Sequence, residues 1–209
     1  MKKLTFLPIV FLAAATTTTL NAQSIAAETT PREPVRAEAK SESDKNRAAK
    51  EESFMDRYYE LKDSHPALAT ACGHYAASSY PQREFVKRYN QIKVAYPKLS
   101  LVWGNYAGSE YTLEDFAKRY YEIKDTYPEL SKYYGDYAGS KKTLTEFIKR
   151  YNECKDSAQD LSEVCGQYAA SDNPLPDFSA RYYGIKASNT GMKNCFGEYA
   201  ASTKKLSSR

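Results

Sequence analysis

The sequence predicts an all-α protein: five tandem 31-residue helix-pair repeats forming an α-solenoid or a compact curved helical array. Three observations predict it. An arginine followed by tyrosine recurs every 31 residues, at Arg57, Arg88, Arg119, Arg150 and Arg181, with no insertion or deletion between copies. Gly73, Gly104, Gly135, Gly166 and Gly197 keep the same step, as do Phe54, Phe85, Phe116, Phe147 and Phe178. Within one copy the apolar residues fall at helical spacing and not at the alternation of a strand.

Residues 1–22 have the form of a secretory signal peptide. Lys2 and Lys3 give the positive start, Leu4 to Ala15 the apolar run, and Ala22 the small residue before the cut. The run is too short to cross a bilayer and Pro8 interrupts it. No cysteine stands beside the cut, which argues against a lipid anchor. Residues 23–49 hold no aromatic residue and mix charged residues with Ser, Ala, Thr and Pro. Such a stretch cannot bury enough apolar surface to offset its ordering entropy, so a disordered leader or linker is expected. The helical domain then covers 50–204, in copies 50–80, 81–111, 112–142, 143–173 and 174–204, with a tail at 205–209. A net charge of +4 permits contact with anionic surfaces without arguing for it.

Each unit starts with a capped helix. Thr112 with Asp115, and Thr143 with Glu146, have the form of a capping box, in which hydroxyl and carboxylate satisfy the free backbone donors of a helix start. Pro81 and Pro174 take the same column, followed three residues on by Glu84 and Asp177. Phe116, Tyr120, Ile123 and Tyr127 make one stripe, so the first helix is expected from about 113 to 126. Pro128, with Pro66 and Pro97 in register, ends it and opens a second, shorter helix. In that helix Leu99, Trp103, Tyr106 and Ala107 share a face, with Gly104 inside it at a cost of about 1 kcal/mol relative to Ala. A glycine kept in every copy against that cost points to either a left-handed helix end or a backbone packed closely against its neighbour, and close packing is the favoured reading. Gly108 or Gly139 and the following serine make the turn into the next unit.

The Phe and Tyr columns sit on these stripes and are expected in the core, in preference to serving as stacking platforms for sugars or bases. The Tyr59, Asn90, Tyr121, Asn152 and Tyr183 column leans outward and is the expected partner surface, because exposed tyrosines are good interface anchors. Two basic columns flank opposite sides of the stripe: Arg57, Arg88, Arg119, Arg150 and Arg181, and Lys62, Lys93, Lys124, Lys155 and Lys186. Their expected role is to cover the rim of the core and pair with acidic residues of the adjacent unit; a basic ladder for a polyanion is the competing reading. Among four cysteines, Cys165 is expected to bridge to Cys154 or Cys195, with Cys72 out of reach in an open array; buried thiols are the alternative, since all four occupy or adjoin apolar columns. His65 and His74 are expected as exposed residues without a task.

No phosphate loop, paired-carboxylate signature, Ser-His-Asp set, Cys-x-x-Cys spacing or N-glycosylation sequon occurs in the sequence. The expected function is a secreted, non-enzymatic protein that binds a macromolecular partner, in first place a protein, in the manner of an effector, adhesin or envelope scaffold. No cofactor and no metal are predicted. Polyanion binding is the alternative. A second alternative, a repeat precursor, rests on the dibasic steps Lys87-Arg88, Lys118-Arg119 and Lys149-Arg150.

Overall fold

The computed structural model describes residues 52–207. The expected signal peptide and leader lie outside the described residues, and no helix among these is long and apolar enough to cross a membrane. Five long helices, α1 (Phe54–Ser64), α3 (Gln82–Ala95), α5 (Leu113–Thr126), α7 (Leu144–Ser157) and α9 (Leu175–Ser188), alternate with five short ones. The short ones are α2 (Cys72–Ala77), α4 (Trp103–Gly108), α6 (Tyr134–Gly139), α8 (Cys165–Ala170) and α10 (Phe196–Ala201). The described residues hold no strand.

The caps behave as the sequence requires. The Thr112 and Thr143 hydroxyls accept from the backbone N–H of Asp115 and Glu146, and Ser53 with Asp56 adds a third cap of this kind at the start of α1. Pro81 and Pro174 precede α3 and α9 without a side-chain cap. The second helix of each unit differs from the single helix expected. It is a six-residue 3₁₀ segment followed by the short α-helix, with a kink such as Leu99 at φ −96°, ψ 34°. Pro66, Pro97 and Pro128 open the 3₁₀ segments of the first three units. Yet Ala158 before Gln159 (φ −144°, ψ 72°) and Asn189 before Thr190 (φ −140°, ψ 65°) break the chain in the same way without proline. Core packing therefore dictates the bend, and proline only makes it cheaper.

The array closes on itself, which makes it the compact one of the two architectures expected. The short helices pack in sequence from α2 to α10, and α10 packs back on α2. They line the axis, with the long helices outside. The tyrosine of each short helix meets the phenylalanine of the next long helix edge to face: Tyr75 with Phe85, Tyr106 with Phe116, Tyr137 with Phe147 and Tyr168 with Phe178, at 5.3 to 5.4 Å between ring centroids. Tyr199 makes the same contact with Phe54 at 5.3 Å, from the last unit to the first. The tail completes the seam, because the Phe54 and Met55 N–H groups donate to the carbonyls of Lys205 and Leu206 at 2.8 and 3.0 Å. Two free donors at the start of α1 are thereby satisfied.

The glycine column permits this approach. A Cβ at Gly166 would lie 2.3 Å from Tyr133 Cδ1 and 2.4 Å from Asp136 Oδ2, and one at Gly73 would lie 2.6 Å from the Cys195 Cβ across the seam. Cys154 and Cys165 form a disulfide with Cα atoms 5.6 Å apart, tying the end of α7 to the start of α8. Closure also corrects the expectation that Cys72 is remote. Cys72 and Cys195 lie in one core cluster, as buried free thiols. Burial pushes them up to about 11 and about 12, which suppresses the reactive thiolate.

Replacing Gly166 with Ala tests the packing against intrinsic propensity. In an isolated helix the change would be favourable by about 1 kcal/mol. Here the methyl meets a Tyr133 ring anchored by its own hydroxyl on the Ser162 carbonyl at 2.7 Å. The expected net effect is a loss of about 1–3 kcal/mol in urea unfolding, and a gain in stability would refute the close-packing account.

Candidate functional site

The outward column lies where the sequence places it. Tyr59, Tyr121 and Tyr183 are 40%, 41% and 39% exposed, making them the large aromatic side chains most open to solvent among the described residues. Asn90 and Asn152 are exposed between them. The structure brings this column together with the lysine column, three residues further along the same helix. Lys62, Lys124 and Lys186 place Nζ 5.5, 5.6 and 5.9 Å from the ring centres of Tyr59, Tyr121 and Tyr183. Lys93 and Lys155 are exposed at the equivalent places. The outer wall thus carries three aromatic and ammonium pairs, each within the range of cation–π attraction.

The arginine column does something else. Its expected pairing with acidic residues of an adjacent unit is replaced by backbone capping within its own unit and at the turn out of it. Arg119 donates to the carbonyls of Ala138, Tyr137, Ser140 and Lys142 at 3.3, 3.0, 3.0 and 2.7 Å. Arg88 repeats the pattern on Ala107, Tyr106, Ser109 and Tyr111. Arg57, Arg150 and Arg181 reach the same kind of carbonyl. Each guanidinium also stacks on the tyrosine of its short helix, 4.2 Å away for Arg119 over Tyr137. The fork so engaged adds donors to the last carbonyls of a helix that the following serine also caps, as Ser140 does with its backbone N–H and hydroxyl on the Tyr137 carbonyl. These donors are turned inward, which leaves the lysines as the exposed basic ladder. The dibasic steps lie within α3, α5 and α7.

A second site went unread in the sequence. His74, Asn105, Asp136, Gln167 and Glu198 form one column, each directly after the invariant glycine. In the closed ring all five converge on an axial cavity of about 270 Å³. Each leans over the glycine of a neighbouring unit: His74 over Gly104, Asn105 over Gly135, Asp136 over Gly166, Gln167 over Gly197 and Glu198 over Gly73. The cavity wall one helical turn further on is Ala77, Gly108, Gly139, Ala170 and Ala201. His74 is therefore not an idle surface residue, correcting the sequence expectation; it is half-buried, with Nε2 3.8 Å from Glu198 Oε1. Asn105 Nδ2 donates to Asp136 Oδ1 at 3.1 Å. The missed signal was a position polar in every copy, set inside the otherwise apolar Gly-x-Tyr-Ala run.

Burial acts on this ring in opposite directions. It holds the His74 imidazole below its ordinary range, partly offset by the neighbouring Glu198. It pushes the Asp136 carboxyl up to about 8, helped by the charge of Glu198 and opposed by the hydrogen bond from Asn105. Among the described residues no three acids, histidines or cysteines converge tightly enough to hold a metal ion. No protein-family model, curated protein or solved structure matches the chain.

Two measurements check these assignments. Arg119→Lys keeps the charge but loses the planar fork and the stacking, and should cost about 2 kcal/mol in urea unfolding; a cost below about 0.5 kcal/mol would make the fork dispensable. From about pH 4 to about pH 8 the folded chain keeps a proton on Asp136 that the unfolded chain has released. Stability must therefore fall as pH rises through that window and level off above it. Asp136→Asn should remove this part of the decline, so that the variant gains on the parent as pH rises; parallel pH profiles would contradict it.

Proposed function

We infer that the protein is a non-enzymatic, exported binding protein whose outer wall engages a protein partner. The observation that carries this reading is the repetition of an exposed tyrosine beneath a lysine ammonium, at Tyr59, Tyr121 and Tyr183 on alternate long helices. Such a side chain offers a large apolar face with only two rotatable side-chain angles to immobilise, which is why tyrosine dominates interface energetics. The rigid ring holds these anchors at fixed separations, so that a partner meeting more than one of them gains from preorganisation. Export rests on the signal-like start of the sequence, and the Cys154–Cys165 disulfide accords with an oxidising compartment.

The lysine ladder supports a second reading, binding of a polyanion. The two separate in one experiment, in which the full chain is immobilised and challenged with material from its natural surroundings. Captured protein should fall about tenfold or more when Tyr59, Tyr121 and Tyr183 are all changed to Ala, with an unchanged far-ultraviolet circular dichroism spectrum. Undiminished capture would remove the tyrosine wall from consideration. Capture of a polyanion that weakens steeply with salt and depends on the lysines would establish the second reading.

A further inference from the structure

The axial column differs from every framework column of the repeat. The glycine before it and the tyrosine after it are constant in all five copies, yet His74, Asn105, Asp136, Gln167 and Glu198 are five different residues. Unlike neighbours let some of the five engage one another, as Asn105 does with Asp136, but that one hydrogen bond leaves most of the polar groups facing the cavity. Five distinct hydrogen-bonding groups around one cavity make an asymmetric polar lining, the pattern of a site that orients a ligand. At about 270 Å³ the cavity lies just below the size of drug-sized pockets, which begin near 300 Å³.

The lining has more acceptors than donors. Asp136 and Glu198 contribute two carboxyl groups. Gln167 Oε1 is buried and accepts no hydrogen bond from any described residue. On the donor side, Asn105 spends one of its two amide N–H groups on Asp136, and the Gln167 amide adds its own two. His74 Nε2 stands 3.8 Å from Glu198, too far for a hydrogen bond. His74, Asp136 and Glu198 are the titratable groups lining the cavity; burial drives the one imidazole toward its neutral form and leaves the proton on Asp136 near neutral pH, so the lining supplies no positive charge. A buried acceptor without a donor costs about 1–3 kcal/mol. A ligand bringing N–H donors and positive charge relieves both deficits.

The surroundings narrow the class. An anion would face two carboxyl groups. A metal ion lacks three converging ligands. A quaternary ammonium carries no N–H donor and is recognised by aromatic faces, whereas Ala, Gly and Ser make up the rest of this wall. We propose that the axial cavity binds a small primary amine, its ammonium group held by the Asp136 and Glu198 carboxylates and by Gln167 Oε1. This site is independent of the outer tyrosine wall, and either can fail without the other.

Titration calorimetry of the full chain with 1,4-diaminobutane tests it, with tetramethylammonium and succinate as controls. Diaminobutane should bind once per chain with Kd below about 1 mM, and neither control should bind. Because Asp136 holds a proton near neutral pH and must ionise to bind an ammonium, the heat at pH 7 should differ between buffers of unequal ionisation enthalpy. Asp136→Asn and Glu198→Gln should each weaken binding about tenfold or more. Both variants keep the shape of the side chain they replace, and circular dichroism verifies that each stays folded. No binding of diaminobutane at 10 mM (about 2.7 kcal/mol in association free energy), equal binding of tetramethylammonium, or full affinity in either variant overturns the proposal.

Discussion

The close approach of five short helices around one axis is the constraint on which the rest depends. Helices can come this near only where one of them lacks a side chain, and the glycine column supplies that gap in every unit. The gap does not stay empty. It receives the polar side chain of a neighbouring unit, so the residue that allows packing and the residue that lines the axis are adjacent in sequence and coupled in space. The helix pays for its glycines in propensity and regains more through contact, which is the usual resolution when local and tertiary preferences conflict.

Around this axis the arginine column solves a second problem. A helix of six residues has no interior, and its terminal carbonyls depend on donors from outside it, which the following serine supplies only in part. The guanidinium of the preceding long helix reaches them with a planar fork while its face covers the tyrosine of the same short helix. One residue therefore joins the two helices of a unit and the turn that leads out of it. The tyrosine it covers is held at its far end as well, since the hydroxyls of Tyr106, Tyr137 and Tyr168 donate to Gln91, Glu122 and Glu153. Phe, Tyr, Arg and Gly are invariant because each takes part in the same joint in every unit, whereas the contacts of the outward and axial columns, such as Tyr183 with Asp160 and Asn105 with Asp136, differ from unit to unit, and those columns vary.

Much of the fold was legible in the residues alone. The bounds of α5, the capping threonines and the buried Phe column followed from spacing. The choice of Cys154 as partner for Cys165 was one of two the sequence left open, and geometry selected it. The axial site was not legible as a site, because His74 and Glu198 are separated by 124 positions, the span of four repeats, and meet only at the seam. Closure itself left a faint trace. An open solenoid needs terminal units with a polar outer face, and here the first and last units carry the same apolar columns as the middle ones.

By itself the sequence determined the unit: its length, its two helical pieces, its core columns and its outward tyrosines, all of which depend on neighbours within about one turn of helix or on the 31-residue register. Only the tertiary structure decided that the units close into a ring, that every arginine of the column caps carbonyls, with Arg57 alone also meeting an acid, Glu52, among the described residues, and that five unlike polar residues share one cavity. The physical reason is that a repeat fixes the contact between successive units, while the small rotation between them, which sets whether the last unit meets the first, is a property of side-chain packing that no periodicity records.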